Sequence, residues 1–440
     1  MIMIKNRMSS GKISIMNLGF LGQNFSWGVC FGVMSAIFEY LGARPDQIAG
    51  LWLAGPVTGI IMQLIAGKWS DWTWNRFGRR RPFILVGSIL VSVSFIGMIF
   101  AGSLYIVVIL FWLIMGANNA MQGPYRTMIA DILPSEQVPF GFIIQYIFCG
   151  LGTTVAYFTP WLLLHLAGVS TVTQQGTIPL IVKLSFLIGS VILLLTNVIS
   201  CIFTKEYPPE NMEIFRERRK KELNIFRAST EIFVGIIKMP KLMRQVAISM
   251  FISWIGIFLM LIYFTPAVAT NIFGAHPGTT LYTNGVVWAG FCFAMYSIFS
   301  IIFSFCVPFL YKFIELKNIF AFTIAIGGVS LISLLFISDH NFLIIPMIGV
   351  GIMYAGNQSI PFAIIGEYFK DKDTGTNMGI FHTSGVFAQV LVSIFFGYFL
   401  VNFLGNNALY AVVTGGVFLL IASVSALFIQ YKTPRAKMDS

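Results

Sequence analysis

Long apolar runs, each near the length of one membrane crossing, alternate with short polar breaks along the whole chain. A helix needs about 20 mostly apolar residues to cross a bilayer. Runs of that kind lie near 13–41, 48–70, 83–102, 105–131, 140–164, 178–203, 244–272, 284–311, 317–338, 341–367, 376–403 and 407–431. The pattern predicts an all-α integral membrane protein with twelve transmembrane helices in two six-helix bundles. Gly and Pro inside several runs fit this, because neighbouring groups in a bundle re-satisfy the backbone. The one long polar stretch, about Thr204 to Arg244, halves the chain. Residues 1–203 read as the first bundle, 204–243 as a cytoplasmic linker and 244–440 as the second bundle. Within the linker, EIFRERRKKELNIF sets apolar residues beside a dense basic face, which predicts an amphipathic helix on the inner membrane surface.

Composition agrees: 57% of residues are hydrophobic and 10% charged, against about a quarter charged in a soluble domain. The net charge of +11 is a matter of topology. Lys5, Arg7 and Lys12 precede the first run; Lys68, Arg76, Arg79, Arg80 and Arg81 surround the loop after the second. The linker follows the sixth, Lys312 and Lys317 the eighth, Lys370 and Lys372 the tenth, and Lys432, Arg435 and Lys437 the last. The opposite loops carry little beyond Arg44 and Lys183. Basic residues collect in cytoplasmic loops, so the chain reads as a multi-pass protein of the cell (inner) membrane with both termini cytoplasmic. No nucleic-acid partner is expected, since a basic balance alone is a weak warrant. The first apolar run exceeds the roughly 7–15 residues of a signal core and is kept as a span.

The five cysteines make no CxxC pair and the four histidines are scattered, so neither a metal nor another cofactor is expected. No HExxH-like spacing or nucleophile–base pairing suggests an enzyme. Polar residues inside lipid are costly and mark functional positions. Span one offers Gln23, Asn24 and Trp27; span four Asn118, Asn119, Gln122 and Arg126; span ten Tyr354, Asn357 and Gln358; span eleven His382 and Gln389. Amides bond hydroxyls and aromatic rings cover apolar faces, a combination that suits a sugar. The bland alternative for each amide is a helix–helix hydrogen bond of roughly 0.6 kcal/mol. For Arg126 it is an ion pair with Asp131 or Glu367, at the inner ends of spans four and ten. Spans four and ten both read Asn, then Pro, then an acid, a weak sign of an internal repeat of the kind transporters carry.

The loop GKWSDWTWNRFGRRRP holds Asp71 before Gly78 and Arg79–Arg81. It reads as a gate: Asp71 is placed to face the positive N-terminus of span eleven near Thr374–Thr376 and to bias two conformations. This loop resembles the one between helices two and three of the major facilitator superfamily. Its RFGRRRP ending resembles the branch of plant sucrose–proton symporters, animal proton-associated sugar transporters and bacterial relatives. AIFEYLGARPDQIAGLWLAGPVTGIIMQ, QGPYRTMIADILPSEQ, MPKLMRQ with IYFTPAVATNIFG, and GTNMGIFH extend the likeness over nearly the whole chain.

The resemblance implies the major facilitator fold, a central cavity lined by helices one, four, seven and ten, and transport of a sugar with a proton. It ties Arg126, in the GP-x-R pattern, to substrate. It also exposes departures. The branch has an aspartate tied to proton coupling eleven residues before that arginine, where this chain has Met115, and a glutamine where it has Cys30. Three routes stay open: Glu39 or His382 takes the proton, the protein is an uncoupled facilitator, or a non-sugar solute brings its own charge to Arg126. A non-transporting nutrient sensor is the alternative of another class. The expected substrate residues are Asn24, Trp27, Asn118, Asn119, Gln122, Arg126, Tyr354, Asn357, Gln358 and Gln389. Asp71, Arg79, Arg80, Arg81, Asp131 and Glu367 are the expected gate. The expected partners are a small-molecule solute, a proton and the lipid bilayer, and the expected state is a monomer.

Overall fold

A computed structural model describes residues 6–208, 212, 215, 239–369 and 374–431, of which 64 and 374–379 are described by backbone alone. The helices of the first half are α1 (Ser10–Asn17), α2 (Gly19–Tyr40), α3 (Pro45–Leu51), α4 (Ala54–Asp71), α5 (Arg81–Phe100), α6 (Leu104–Ile132), α7 (Val138–His165) and α8 (Leu180–Phe203). Those of the second half are α9 (Lys241–Ala267), α10 (Thr280–Leu310), α11 (Leu316–Ser333), α12 (Ile344–Tyr368), α13 (Thr374–Phe403) and α14 (Ala408–Leu427). Every predicted apolar run is helical, and no strand forms among the described residues. Eleven helical stretches among them are long and apolar enough to cross a membrane. The first predicted span falls outside that set because Gln23, Asn24 and Glu39 dilute the apolar content of α2. The predicted linker helix lies outside the described residues, apart from Met212 and Phe215, as do Lys5, Lys370, Lys372, Lys432, Arg435 and Lys437.

The chain divides into two compact units: Met1–Ala43 with Ala54–Thr230, and Arg44–Leu53 with Glu231–Ser440. In the first unit the opening span is broken at Leu18, between α1 and α2. The break frees the Met16 carbonyl, which accepts from Tyr125 Oη at 2.8 Å and Ser200 Oγ at 2.6 Å. A kink with its released carbonyl satisfied by side chains is stable in an apolar setting. Phe20 stacks on Tyr125 at 3.9 Å. Further along, α2 and α7 meet through small residues: a Cβ on Gly152 would fall 2.1 Å from the Leu21 carbonyl oxygen. Such close backbone approach is how membrane helices gain packing without a hydrophobic drive. It brings Asn24 of α2 against Cys149 of α7.

In the second unit α9 and α14 are equally close, with a Cβ on Gly256 falling 2.4 Å from the Gly415 oxygen. The short helix α3 belongs to this unit, although the chain reaches it between α2 and α4. Tyr263 Oη donates to the Pro45 carbonyl at 3.0 Å, and Asn406 Nδ2 donates to Asp46 Oδ1 at 3.3 Å. Trp52 meets Phe258 edge-on at 6.3 Å.

Candidate functional site

The arginine-rich loop folds as a locked corner of the first unit. Gly78 takes a φ of 103°, a backbone shape that favours glycine. It closes a turn with Asn75 through a 2.9 Å hydrogen bond. The chain then enters α5 with Pro82 in its first turn, where a missing N–H is harmless. Glu206, just past α8, accepts the backbone N–H groups of Arg79 at 2.7 Å, Arg80 at 2.9 Å and Arg81 at 2.9 Å. A carboxylate on the free amides of a helix N-terminus is favoured by both hydrogen bonding and the helix dipole. A Cβ at position 78 would lie 2.7 Å from Glu206 Oε1, so glycine also makes the approach possible.

The side chains complete the lock. Arg80 is 2% exposed and bonds Asp71 Oδ1 at 2.6 Å and Asp131 Oδ2 at 2.9 Å. Its Nη1 donates to Ser70 Oγ at 2.5 Å. Arg79 reaches Asp71 at 3.2 Å, and Arg81 Nη1 donates to the Cys201 carbonyl at 3.0 Å. Within this unit Asp71 finds partners in Arg79 and Arg80. The bland alternative for Arg126, an ion pair with Asp131, does not form: Asp131 is held by Arg80. Glu206 escaped the sequence reading because nothing in KEYPPE distinguishes a buried capping acid from a solvated one.

Two of the predicted amides act as fasteners. Asn118 is fully buried; its Nδ2 donates to Ser26 Oγ at 2.9 Å, and its backbone carbonyl accepts from Gln23 Nε2 at 3.1 Å. Asn119, 4% exposed, donates to Thr58 Oγ1 at 3.1 Å and the Met115 carbonyl at 3.0 Å. Gln63 donates to Asn119 Oδ1 and Gln122 Oε1, each at 3.1 Å. These bonds tie α6 to α2 and α4. In this structure Asn118 and Asn119 face helix seams: the Asn119 amide is bonded across the seam through both its nitrogen and its oxygen, whereas Asn118 bonds through Nδ2 and its buried Oδ1 has no partner among the described residues.

Asn24, Trp27 and Arg126 are different. On α2, where most residues are buried, Asn24, Trp27 and Phe31 are only half-buried. Their spacing of three and then four residues puts them on one helix face. Asn24 Nδ2 donates to the Phe20 carbonyl and to Cys149 Sγ, each at 3.0 Å. Trp27 stacks on Phe31 at 5.9 Å, and its buried Nε1 has no acceptor among the described residues. Arg126 is exposed and lies within electrostatic reach of Cys149. It forms no hydrogen bond or ion pair among the described residues. It sits about 9 Å in from the end of α6, at 1.5 Å per residue. Met115 is fully buried, as is Cys30, and Glu39 is 4% exposed near the far end of α2.

In the second unit Asn357 is buried and accepts from Ser253 Oγ at 2.7 Å, while its Nδ2 lacks an acceptor among the described residues. Gln358 donates to Tyr354 Oη at 3.4 Å, and Tyr354 packs on Tyr296. His382 is exposed beside Phe362, and Gln389 is half-buried. Glu367 accepts from Tyr431 and is also hydrogen-bonded to Tyr311.

The major facilitator superfamily profile matches residues 16–338 and 286–439. Sucrose transport protein SUC3 of Arabidopsis thaliana is 27% identical over 220 residues, 42% of this chain and 36% of that protein. Sucrose transport protein SUT1 of Oryza sativa subsp. japonica is 23% identical over 499 residues, 98% of this chain and 90% of that protein. Among solved structures, the nucleoside transporter NupG has a TM-score of 0.69 at 12% identity, over 96% of this chain and 100% of that one. A bacterial homolog of the human lysosomal transporter Spinster, inward-facing and unoccupied, has a TM-score of 0.66 at 12% identity, over 96% and 98%. At these identities the structural likeness speaks to fold alone.

Proposed function

Because this chain belongs to the major facilitator superfamily, it is a multi-pass membrane transporter and not an enzyme, and we propose that its cargo is a sugar, a disaccharide first, moved by alternating access with proton symport. The observation that carries this reading is the similarity to a sucrose transport protein across 98% of the chain. The chemistry of the half-open side chains supports it. Asn24, Trp27, Gln122 and Arg126 in the first unit, with Tyr354, Gln358 and Gln389 in the second, offer amide, ring and guanidinium contacts suited to hydroxyls and apolar sugar faces. Asn118, Asn119 and Asn357 serve as the frame behind them. Glu39 and His382 are the proposed proton carriers. The basic residues support cytoplasmic termini in the cell membrane.

The test is uptake of labelled sucrose and maltose into proteoliposomes, with and without an inward proton gradient. Accumulation that requires the gradient is expected, and its loss in Glu39→Gln or His382→Gln identifies the carrier. A second reading, an uncoupled facilitator, is favoured by the apolar Met115, which cannot take a proton. Equilibration without accumulation would select it. Uptake of neither sugar would overturn both readings for neutral disaccharides.

A further inference from the structure

Every described carboxylate already has a partner. In the first unit Asp71 and Asp131 are held by Arg80, Glu136 by Arg7, and Glu206 by three backbone amides. Glu39 also has an interaction partner, and it lies fifteen residues beyond Asn24 (39 minus 24), about 22 Å further along α2. In the second unit Asp46 pairs with Arg44, Glu315 with Lys317, Asp339 with His340 and Glu367 with Tyr431. Arg126 has none of them. Its guanidinium carries five N–H donors and keeps its charge at any working pH. An intramembrane cation without a counter-ion is costly and marks a site. One turn along from Asn24, the Trp27 indole offers a further donor with no acceptor among the described residues. The open face thus carries one positive charge that no described carboxylate neutralises, with the Trp27 N–H beside it, while the Asn24 N–H2 is already spent on Phe20 and Cys149.

We infer that the solute recognised there is an anion: a sugar acid, or a sugar bearing an equivalent negative group, whose charge Arg126 neutralises. This rests on the transport reading and narrows it. A neutral sugar would use some of the donors and leave the charge standing. A carboxylate accepts two parallel N–H bonds from one guanidinium, a shorter and stronger contact than a neutral hydroxyl makes. Arg126 is then a binding residue for charge, with Trp27 and Asn24 contacting the rest of the solute.

The experiment uses the purified full chain and matched acid and neutral pairs: galacturonate with galactose, glucuronate with glucose, and lactobionate with lactitol. Acetate is the anion without a sugar frame. Binding is read by thermal stabilisation and transport by proteoliposome uptake. The expected result is that at least one acid binds ten-fold or more tightly than its neutral partner. Arg126→Gln should abolish that preference, and Arg126→Lys should keep part of it. Unliganded Arg126→Gln should melt no lower than the parent, since an unpaired charge is removed. Neutral sugars bound as well as acids, or no acid bound at all, would overturn the inference. In the first case the sugar reading survives. Acetate bound as tightly as the sugar acids would support the charge and reject the sugar. A steep fall in melting temperature for unliganded Arg126→Gln would show an internal partner and overturn it directly.

Discussion

Each unit gathers polar groups where a long helix ends, and the two do so with different chemistry. At the end of α6 Asp131 joins Asp71, Glu206 and the three arginines of the turn, so charge is neutralised by opposite charge. At the end of α12 Glu367 is solvated by the phenols of Tyr311 and Tyr431. The first arrangement is interdependent, since each group is the counter-ion of another and Arg80 is 2% exposed. Leaving a buried member without its counter-ion strands a charge, which costs about 3–5 kcal/mol in general. The second holds a single charge with neutral donors. Loss of one donor weakens a hydrogen bond to a charged group, worth about 1.5–3 kcal/mol. The same end of the same kind of helix is therefore brittle in one unit and tolerant in the other.

The sharpest way to break the contrast is Glu206→Gln. The change removes the charge that faces three amides and Arg81, and it places an amide N–H2 where only acceptors fit. We expect a loss of about 3 kcal/mol, read as a fall in melting temperature of the purified protein. No fall would mean that the turn holds without its carboxylate. Tyr431→Phe should cost about 1.5 kcal/mol, the low end for a bond to a charged group, and also alter the alkaline limb. Burial first, then the bond to Glu367, holds the Tyr431 phenol above its usual value. Its contribution is complete below about pH 10, the usual tyrosine value, and fades as pH rises through the raised one. Stability of Tyr431→Phe should therefore decline less steeply above about pH 10 than that of the parent. Asp131→Asn should cost less, about 1 kcal/mol, because Asp131 is 36% exposed and Arg80 keeps Asp71.

The helices were legible because run length alone decides them in lipid. Arg126 was legible because a charge in an apolar run needs a reason. Facing was not. Asn118, Asn119 and Asn24 are the same residue type in the same kind of helix, and only the packing of α2 and α4 turns two of them into seams and leaves one half-open. Glu206 was invisible for a related reason: its partners are backbone amides more than 120 residues away, and a backbone donor leaves no mark in a sequence. The membership of α3 in the second unit was hidden as well. It reads as the start of the second span, and its partners Tyr263 and Asn406 lie far along the chain.

The smallest predicted effect completes the ranking. Arg7 and Glu136 form an ion pair at 2.7 Å, as short as the contacts of Arg80, but their side chains are 78% and 66% exposed. Glu136 raises the Arg7 pKa further above an already high value, so the pair does not titrate from the arginine side at any working pH. Water and salt screen it over a Debye length of about 8 Å at physiological ionic strength, and exposed pairs contribute little. Arg7→Gln should leave the melting temperature unchanged, at low and at high salt, in the scans that resolve Glu206→Gln. Were Arg7→Gln as damaging as the loss of Glu206, ion-pair distance rather than burial would set these strengths. The contrast between the charged corner of one unit and the phenol-held carboxylate of the other would then lose its physical basis.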